Sequence, residues 1–156
     1  MEIRHKGIYR ERFDAPFVGT LISAIACNHN CPGCHNDPLK SGHGIIVEDH
    51  KDIINKVIDD PFSEGLILAG LEWTLQVDEM FALITAALES NLKVILYTYR
   101  TEEEMDAMFP YLSHICKGLY IKYGEYDETK LVSNYSSYGV PLASSNQYIK
   151  RIGYDN

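Results

Sequence analysis

The 156-residue chain is short of positive charge: 14 lysines and arginines stand against 22 acidic residues, for a formal net charge of −8. Neutralising phosphates requires a concentration of basic side chains that is found nowhere here, which argues against nucleic acid as a partner. No apolar run is long enough to span a bilayer, and residues 1–13 are charged and mixed, without the apolar stretch of a secretory signal. The expectation is therefore a cytoplasmic protein with no membrane partner. Tryptophan occurs once, at Trp73, and is read as packing or interface. Cysteine is sparse too, with four in all. Three of them, Cys27, Cys31 and Cys34, lie close together, which fits metal binding in a reducing compartment better than a disulfide framework. Cys116 stands apart and reads as a buried thiol. No internal repeat is present.

What is present is an alternation of short apolar runs and amphipathic stretches. Leu21–Ala26 is nearly continuous in small and apolar residues, as in a strand buried on both faces, and Gly65–Gly70, Lys93–Tyr97 and Gly118–Lys122 repeat that character. Between them, Ile53, Ile54, Val57 and Ile58 recur at helical spacing between Glu48 and Asp60, and Pro61 ends that helix. Val77, Met80, Phe81, Ile84, Ala87 and Leu88 mark one face of a second helix, with a stop at Ser90-Asn91. Thr101-Glu102-Glu103-Glu104 is a capping box for a third, whose Met105, Met108 and Phe109 are expected to face the core. Residues 1–13 suggest an irregular arm or edge strand. From Glu125 onward the pattern is irregular, with residues 134–139 read as a mobile loop and 147–152 as a short final strand.

This order predicts an α/β fold with a parallel sheet and right-handed crossovers, in a single domain over 1–156. A complete eight-unit barrel takes about 250 residues, so a partial, open (β/α) barrel is expected. In parallel sheets the loops at the strand carboxyl ends gather on one side, where ligands bind. The cysteine loop, Gly70–Glu72 and Thr98–Arg100 all fall at such ends.

Cys27, Cys31 and Cys34 are spaced C-x3-C-x2-C, unlike the paired C-x2-C of a closed zinc site or the four-cysteine runs of ferredoxins. Three thiolates on a four-iron cluster leave one iron open to an exogenous ligand. A structural zinc with His29, His35 or His43 as fourth ligand is also compatible with these residues, as are unliganded thiols.

The spacing, directly after an apolar strand, resembles the cluster loop (27–34) of the radical S-adenosylmethionine (SAM) superfamily. Within it, Cys31-Pro32-Gly33-Cys34-His35-Asn36 resembles the C-P-G-C-aromatic-N form of the anaerobic ribonucleotide reductase activating proteins. The likeness extends along the chain. Asp14, Pro16 and Thr20 match a D-G-P-G-x-R-T entry segment; Ala69-Gly70-Leu71-Glu72-Trp73 stands where that family has G-G-E-P; Tyr97-Thr98-Tyr99 is similar to Y-T-G; Lys122-Tyr123-Gly124 stands at D-G; and Ala143–Gln147 resembles G-S-x-N-Q.

The resemblance implies a barrel of the radical SAM type and a [4Fe–4S] cluster on Cys27, Cys31 and Cys34. It also implies reductive cleavage of SAM to a 5′-deoxyadenosyl radical and installation of a glycyl radical on a partner, the anaerobic ribonucleotide reductase large subunit. Gly70, Glu72, Thr98, His35 and Asn146 become the candidate cofactor-binding residues, with Glu72 the acid that receives the SAM ammonium. With no other cysteine cluster, electrons would come from an external flavodoxin- or ferredoxin-like donor. The departures at Ala15, Phe17, Gly19, Leu71, Trp73, Tyr99 and Ala143, and the missing acid beside Gly124, leave other readings open. These are activation of a different glycyl radical enzyme, modification of a small molecule, or a non-catalytic iron–sulfur or zinc protein.

Overall fold

Five consecutive buried residues without a polar side chain, Gly65–Ala69, form the strand around which the rest is laid. The computed structural model describes residues 1–12, 15–27, 44–132 and 135–153. Among these the elements run β1 (Glu2–His5), β2 (Ile8–Glu11), β3 (Gly19–Ser23), β4 (Ile46–Asp49), α1 (His50–Asp59), β5 (Gly65–Ala69), α2 (Val77–Glu89), β6 (Lys93–Tyr97), α3 (Glu102–Met108), α4 (Leu112–Ile115), β7 (Tyr120–Tyr123), β8 (Ser136–Ser137), β9 (Val140–Pro141) and β10 (Tyr148–Arg151). The main sheet is ordered β10-β7-β6-β5-β3-β2. Its inner four strands, β3, β5, β6 and β7, are parallel, and the two edges, β2 and β10, are antiparallel to their neighbours. The fold is thus α/β with a largely parallel central sheet. No closed barrel forms among the described residues.

Because successive strand residues point to opposite faces, β5 feeds two cores. Leu66 and Leu68 join Ile22, Val94, Leu96 and Ile121 in the cluster that also takes Ile53, Val57, Met80, Leu83 and Ile84 from α1 and α2. Ile67 and Ala69 pack with Ile95, Phe17, Val140, Leu142 and Ile149 on the other face. Burial on both faces is what the continuous apolar runs of β3, β5 and β6 require.

The expected strands and the second helix form, and Asn91 takes the left-handed conformation (φ 60°) that ends α2. Both bonds of the Thr101–Glu104 capping box are present. The amino-terminal arm supplies an edge strand, β2, while β1 pairs with β4 in a separate two-stranded ladder.

The structure refines or corrects this reading in four places. The first helix forms between Glu48 and Asp60 as expected, with Glu48 itself in a strand and the Asp49 carboxylate capping the helix by accepting from the Lys51 N–H. Ile58 and Met108 stay exposed, although their helical spacing matches that of the buried Val57 and Met105. The short α4 had no periodicity to announce it. Within 134–139, the described residues enter a β8–β9 hairpin rather than a mobile loop. Its turn residues Tyr138 (φ 52°) and Gly139 (φ 78°) are both left-handed, the pairing a tight two-residue hairpin needs.

Candidate functional site

The carboxyl ends of β3, β5, β6 and β7 open on one edge of the sheet. Leaving β3, the chain is strapped to the segment that leaves β5: Ala24 N–H donates to the Ala69 carbonyl (3.2 Å), and Glu72 N–H donates to the Ala26 carbonyl (2.9 Å). Gln76, buried, accepts from Ile25 N–H (2.9 Å) and donates to the Arg4 carbonyl (2.9 Å), tying the same segment to the amino-terminal arm. Trp73 is fully buried, and its indole N–H donates to the Ile22 carbonyl (3.1 Å), a packing role. Half-buried Cys27 follows, against the helix-side core. Cys31, Cys34 and His35 lie outside the described residues, as do His29 and His43. Among the described residues no three His, Cys, Asp or Glu side chains gather to hold a metal ion.

Glu72 is only 3% exposed, which excludes an ordinary solvated acid. Its Oε2 accepts from Thr74 N–H (3.2 Å), the Thr74 hydroxyl (2.5 Å) and the Thr98 hydroxyl (2.9 Å), and its Oε1 accepts from Tyr99 N–H (2.8 Å). A buried carboxylate requires such partners, and this one welds the turn after β5 to the loop after β6. The turn comes about because Gly70, at φ 83°, reverses the chain where any Cβ would sit 2.2 Å from the Ser23 Oγ. Arg100 then reaches back across the weld. Its Nε donates to the Thr74 hydroxyl oxygen (2.8 Å), and its guanidinium lies over the Tyr99 ring, 5.1 Å from the centroid.

A third group of residues flanks β7. Gly124 N–H donates to the Arg100 carbonyl (3.0 Å), and the Gly124 carbonyl accepts from the buried Lys122 Nζ (2.8 Å) and from Gln147 Nε2 (3.3 Å). Asn146 sits beside it, donating from Nδ2 to the Glu125 carbonyl (2.8 Å). Its Oδ1 is buried and has no hydrogen-bond partner among the described residues. Ser144 and Gln147 spend their groups on the local backbone, Ser144 accepting from Asp127 N–H (3.3 Å) and Gln147 from Ser144 N–H (3.3 Å).

The fold therefore brings Gly70, Glu72, Thr98 and Asn146 to one edge of the sheet. Sequence reasoning missed Thr74, Lys122 and Gln76, and for Arg100 it left open either a carboxylate partner or a solvent-facing place beside Glu102–Glu104. Only Thr74 had a signal, a hydroxyl two residues beyond an acid at a turn, which is the spacing at which a carboxylate caps the following N–H. Gln76 and Arg100 depend on contacts distant in sequence, as does the seat of Lys122 Nζ over the Tyr97 ring, 5.2 Å from its centroid.

A family model described as a 4Fe-4S single cluster domain matches residues 18–139. A protein of Methanocaldococcus jannaschii, named provisionally as a glycyl-radical enzyme activating enzyme, is 32% identical over 90 residues, covering 56% of this chain and 36% of the relative. The chain thus aligns with about a third of that relative's length.

Proposed function

We propose that this chain, which belongs to the 4Fe-4S single cluster domain family, is a radical SAM enzyme that activates a glycyl radical protein. The observation that carries this reading is the strapping of the cysteine-loop entry to the Gly70–Glu72 turn at the ligand-bearing edge of a parallel sheet. Cys27, Cys31 and Cys34 would hold the cluster, a soft three-thiolate donor set that suits iron–sulfur chemistry. Asn146 supports a nucleoside-type ligand at the same edge, because its buried Oδ1 lacks a donor among the described residues. When bound, cluster and SAM together supply a carbon-centred radical able to abstract hydrogen.

The chain's own part is to bind, orient and exclude water. Gly70 lets the backbone turn close to β3, Glu72 and Thr98 lock two loops in register, and His35 follows the last thiol of the loop. An incompletely closed, barrel-like sheet would leave one side open for a polypeptide carrying the target glycine. The name of the Methanocaldococcus relative favours a glycyl radical enzyme as that polypeptide. The C-P-G-C-H-N form points within that class to anaerobic ribonucleotide reductase, with a flavodoxin- or ferredoxin-like protein as electron donor.

The test is anaerobic: reconstitute with iron and sulfide, reduce, add SAM, and measure 5′-deoxyadenosine together with the spectrum of the reduced cluster. Appearance of both is the expected result. A cluster that forms without SAM uptake or cleavage overturns the enzymatic reading, and retention of zinc alone overturns the cluster.

A further inference from the structure

We propose that Glu72 acts as a positioning residue for Arg100, and that the Arg100 guanidinium is the group that recognises a ligand's carboxylate. This rests on the radical SAM reading above and departs from the resemblance, under which Glu72 itself takes the ligand's ammonium.

The departure comes from the hydrogen bonds. Glu72 is 3% exposed and accepts four donors from this chain, three of them on Oε2. A carboxylate offers about four lone-pair sites, so little accepting capacity remains for an incoming ammonium. What the network leaves available lies one bond further out. The Thr74 hydroxyl gives its proton to Glu72 at 2.5 Å and accepts from Arg100 Nε at 2.8 Å. A hydroxyl whose proton is committed to a carboxylate is fixed in orientation and polarised as an acceptor, which pins the guanidinium that donates to it.

Three further contacts hold Arg100. Its N–H donates to the Thr98 hydroxyl oxygen (3.1 Å), its carbonyl accepts from Gly124 N–H (3.0 Å), and its guanidinium lies over Tyr99. Its only side-chain hydrogen bond to a described residue is the one from Nε, and no carboxylate among those residues lies within ion-pair distance of it. The Nη atoms are the fork that engages a carboxylate in two parallel bonds. An arginine held by its Nε, half-buried beside the ends of β5, β6 and β7 and not neutralised by the three nearby glutamates, suits the carboxylate of an amino-acid group on a nucleoside.

Two nucleosides separate the roles. S-adenosylhomocysteine carries the amino-acid end and 5′-methylthioadenosine lacks it, so binding of each to the cluster-loaded protein is measured by calorimetry under anaerobic conditions. Arg100→Gln and Thr74→Val are each expected to weaken S-adenosylhomocysteine about tenfold or more while leaving methylthioadenosine unchanged. Thr74→Ser is expected to restore binding, and the double variant to be no weaker than either single one, as for two residues acting as a unit. If Glu72→Gln alone weakens S-adenosylhomocysteine while Thr74→Val and Arg100→Gln do not, Glu72 is the direct acceptor and the proposal is wrong. Equal weakening of both nucleosides reduces the network to a structural weld and also overturns it. If wild type binds neither nucleoside, the radical SAM reading itself fails, an outcome distinct from a mutant pattern that contradicts the assignment.

Discussion

A methyl group at position 70 would meet the Ser23 Oγ at 2.2 Å and the Ser23 Cβ at 2.8 Å, on a backbone held at φ 83°. Gly70→Ala combines left-handed strain with a steric clash, and each is worth about 1–3 kcal/mol. The variant should lose roughly 2–4 kcal/mol in a urea titration. Adding Ser23→Ala should recover only part, since it removes Oγ but leaves both the Ser23 Cβ and the dihedral strain. A Gly70→Ala protein within about 0.5 kcal/mol of wild type would show that the turn relaxes freely and does not fix the Glu72 loop. Cys116 offers a second test at this scale. It is fully buried, and that burial pushes its thiol up to about 11, so little thiolate exists near neutrality. In the cluster-free protein at pH 8, iodoacetamide should modify the loop cysteines well before Cys116, which should react only on denaturation. Mass spectrometry of the peptides decides this, and equal rates would contradict the burial.

At the scale of elements, β1 is anchored to α2 by one carboxylate. Glu79 accepts from Arg4 N–H (2.7 Å), Nε (3.1 Å) and Nη2 (2.5 Å) and from Gln76 Nε2 (3.1 Å). Burial raises the Glu79 carboxyl, but the hydrogen bonds from Arg4 and Gln76 outweigh it and hold the group below its ordinary value. The bonds to Glu79 therefore stabilise the fold fully above about pH 4.3, the unfolded value, and are lost as pH falls through the lower folded value. Arg4 is about half exposed, so Arg4→Gln should cost only roughly 1 kcal/mol at pH 7 after solvent screening. That difference should shrink as pH is lowered from 7 through about 4.3 and below, measured by urea denaturation across that range. A penalty independent of pH would place the effect in packing instead.

The same elements show what was legible. β5, β6 and α2 announce themselves because local periodicity coincides with burial, and Thr101–Glu104 and Asn91 because their chemistry acts within one turn. β4 escaped notice because its pattern reports a partner, not a face. Ile46 and Val47 stay exposed, and the strand exists through its ladder with β1, which pairs Glu2 with Asp49. Met108 failed in the opposite direction, an apolar residue at helical spacing that stays exposed. At the site, Gly70, Glu72 and Thr98 could be located from motif and strand end, whereas the saturation of Glu72 and the reach of Arg100 to Thr74 depend on two loops meeting in space.

For the whole molecule, the question is whether the cysteine loop is needed for the fold or only for function. The fully buried side chains Ile22, Leu66, Ile67, Leu68, Val94, Ile95, Leu96 and Ile121 all come from β3, β5, β6 and β7, and half-buried Cys27 packs only at the margin of the helix-side core they build. A cluster held through that loop should therefore add stability by binding to a fold that already exists. Cys31→Ala is predicted to prevent cluster assembly and SAM cleavage while unfolding cooperatively, with a thermal midpoint close to that of wild type stripped of iron by a chelator. Wild type loaded with iron and sulfide should unfold at a higher temperature than the stripped protein, and Cys31→Ala should show no such gain. If Cys31→Ala instead lacks a cooperative transition, the loop is part of the folding core and the strapping of Ala26 to Glu72 depends on the cluster. If it still cleaves SAM at the wild-type rate, the three-thiolate assignment is wrong.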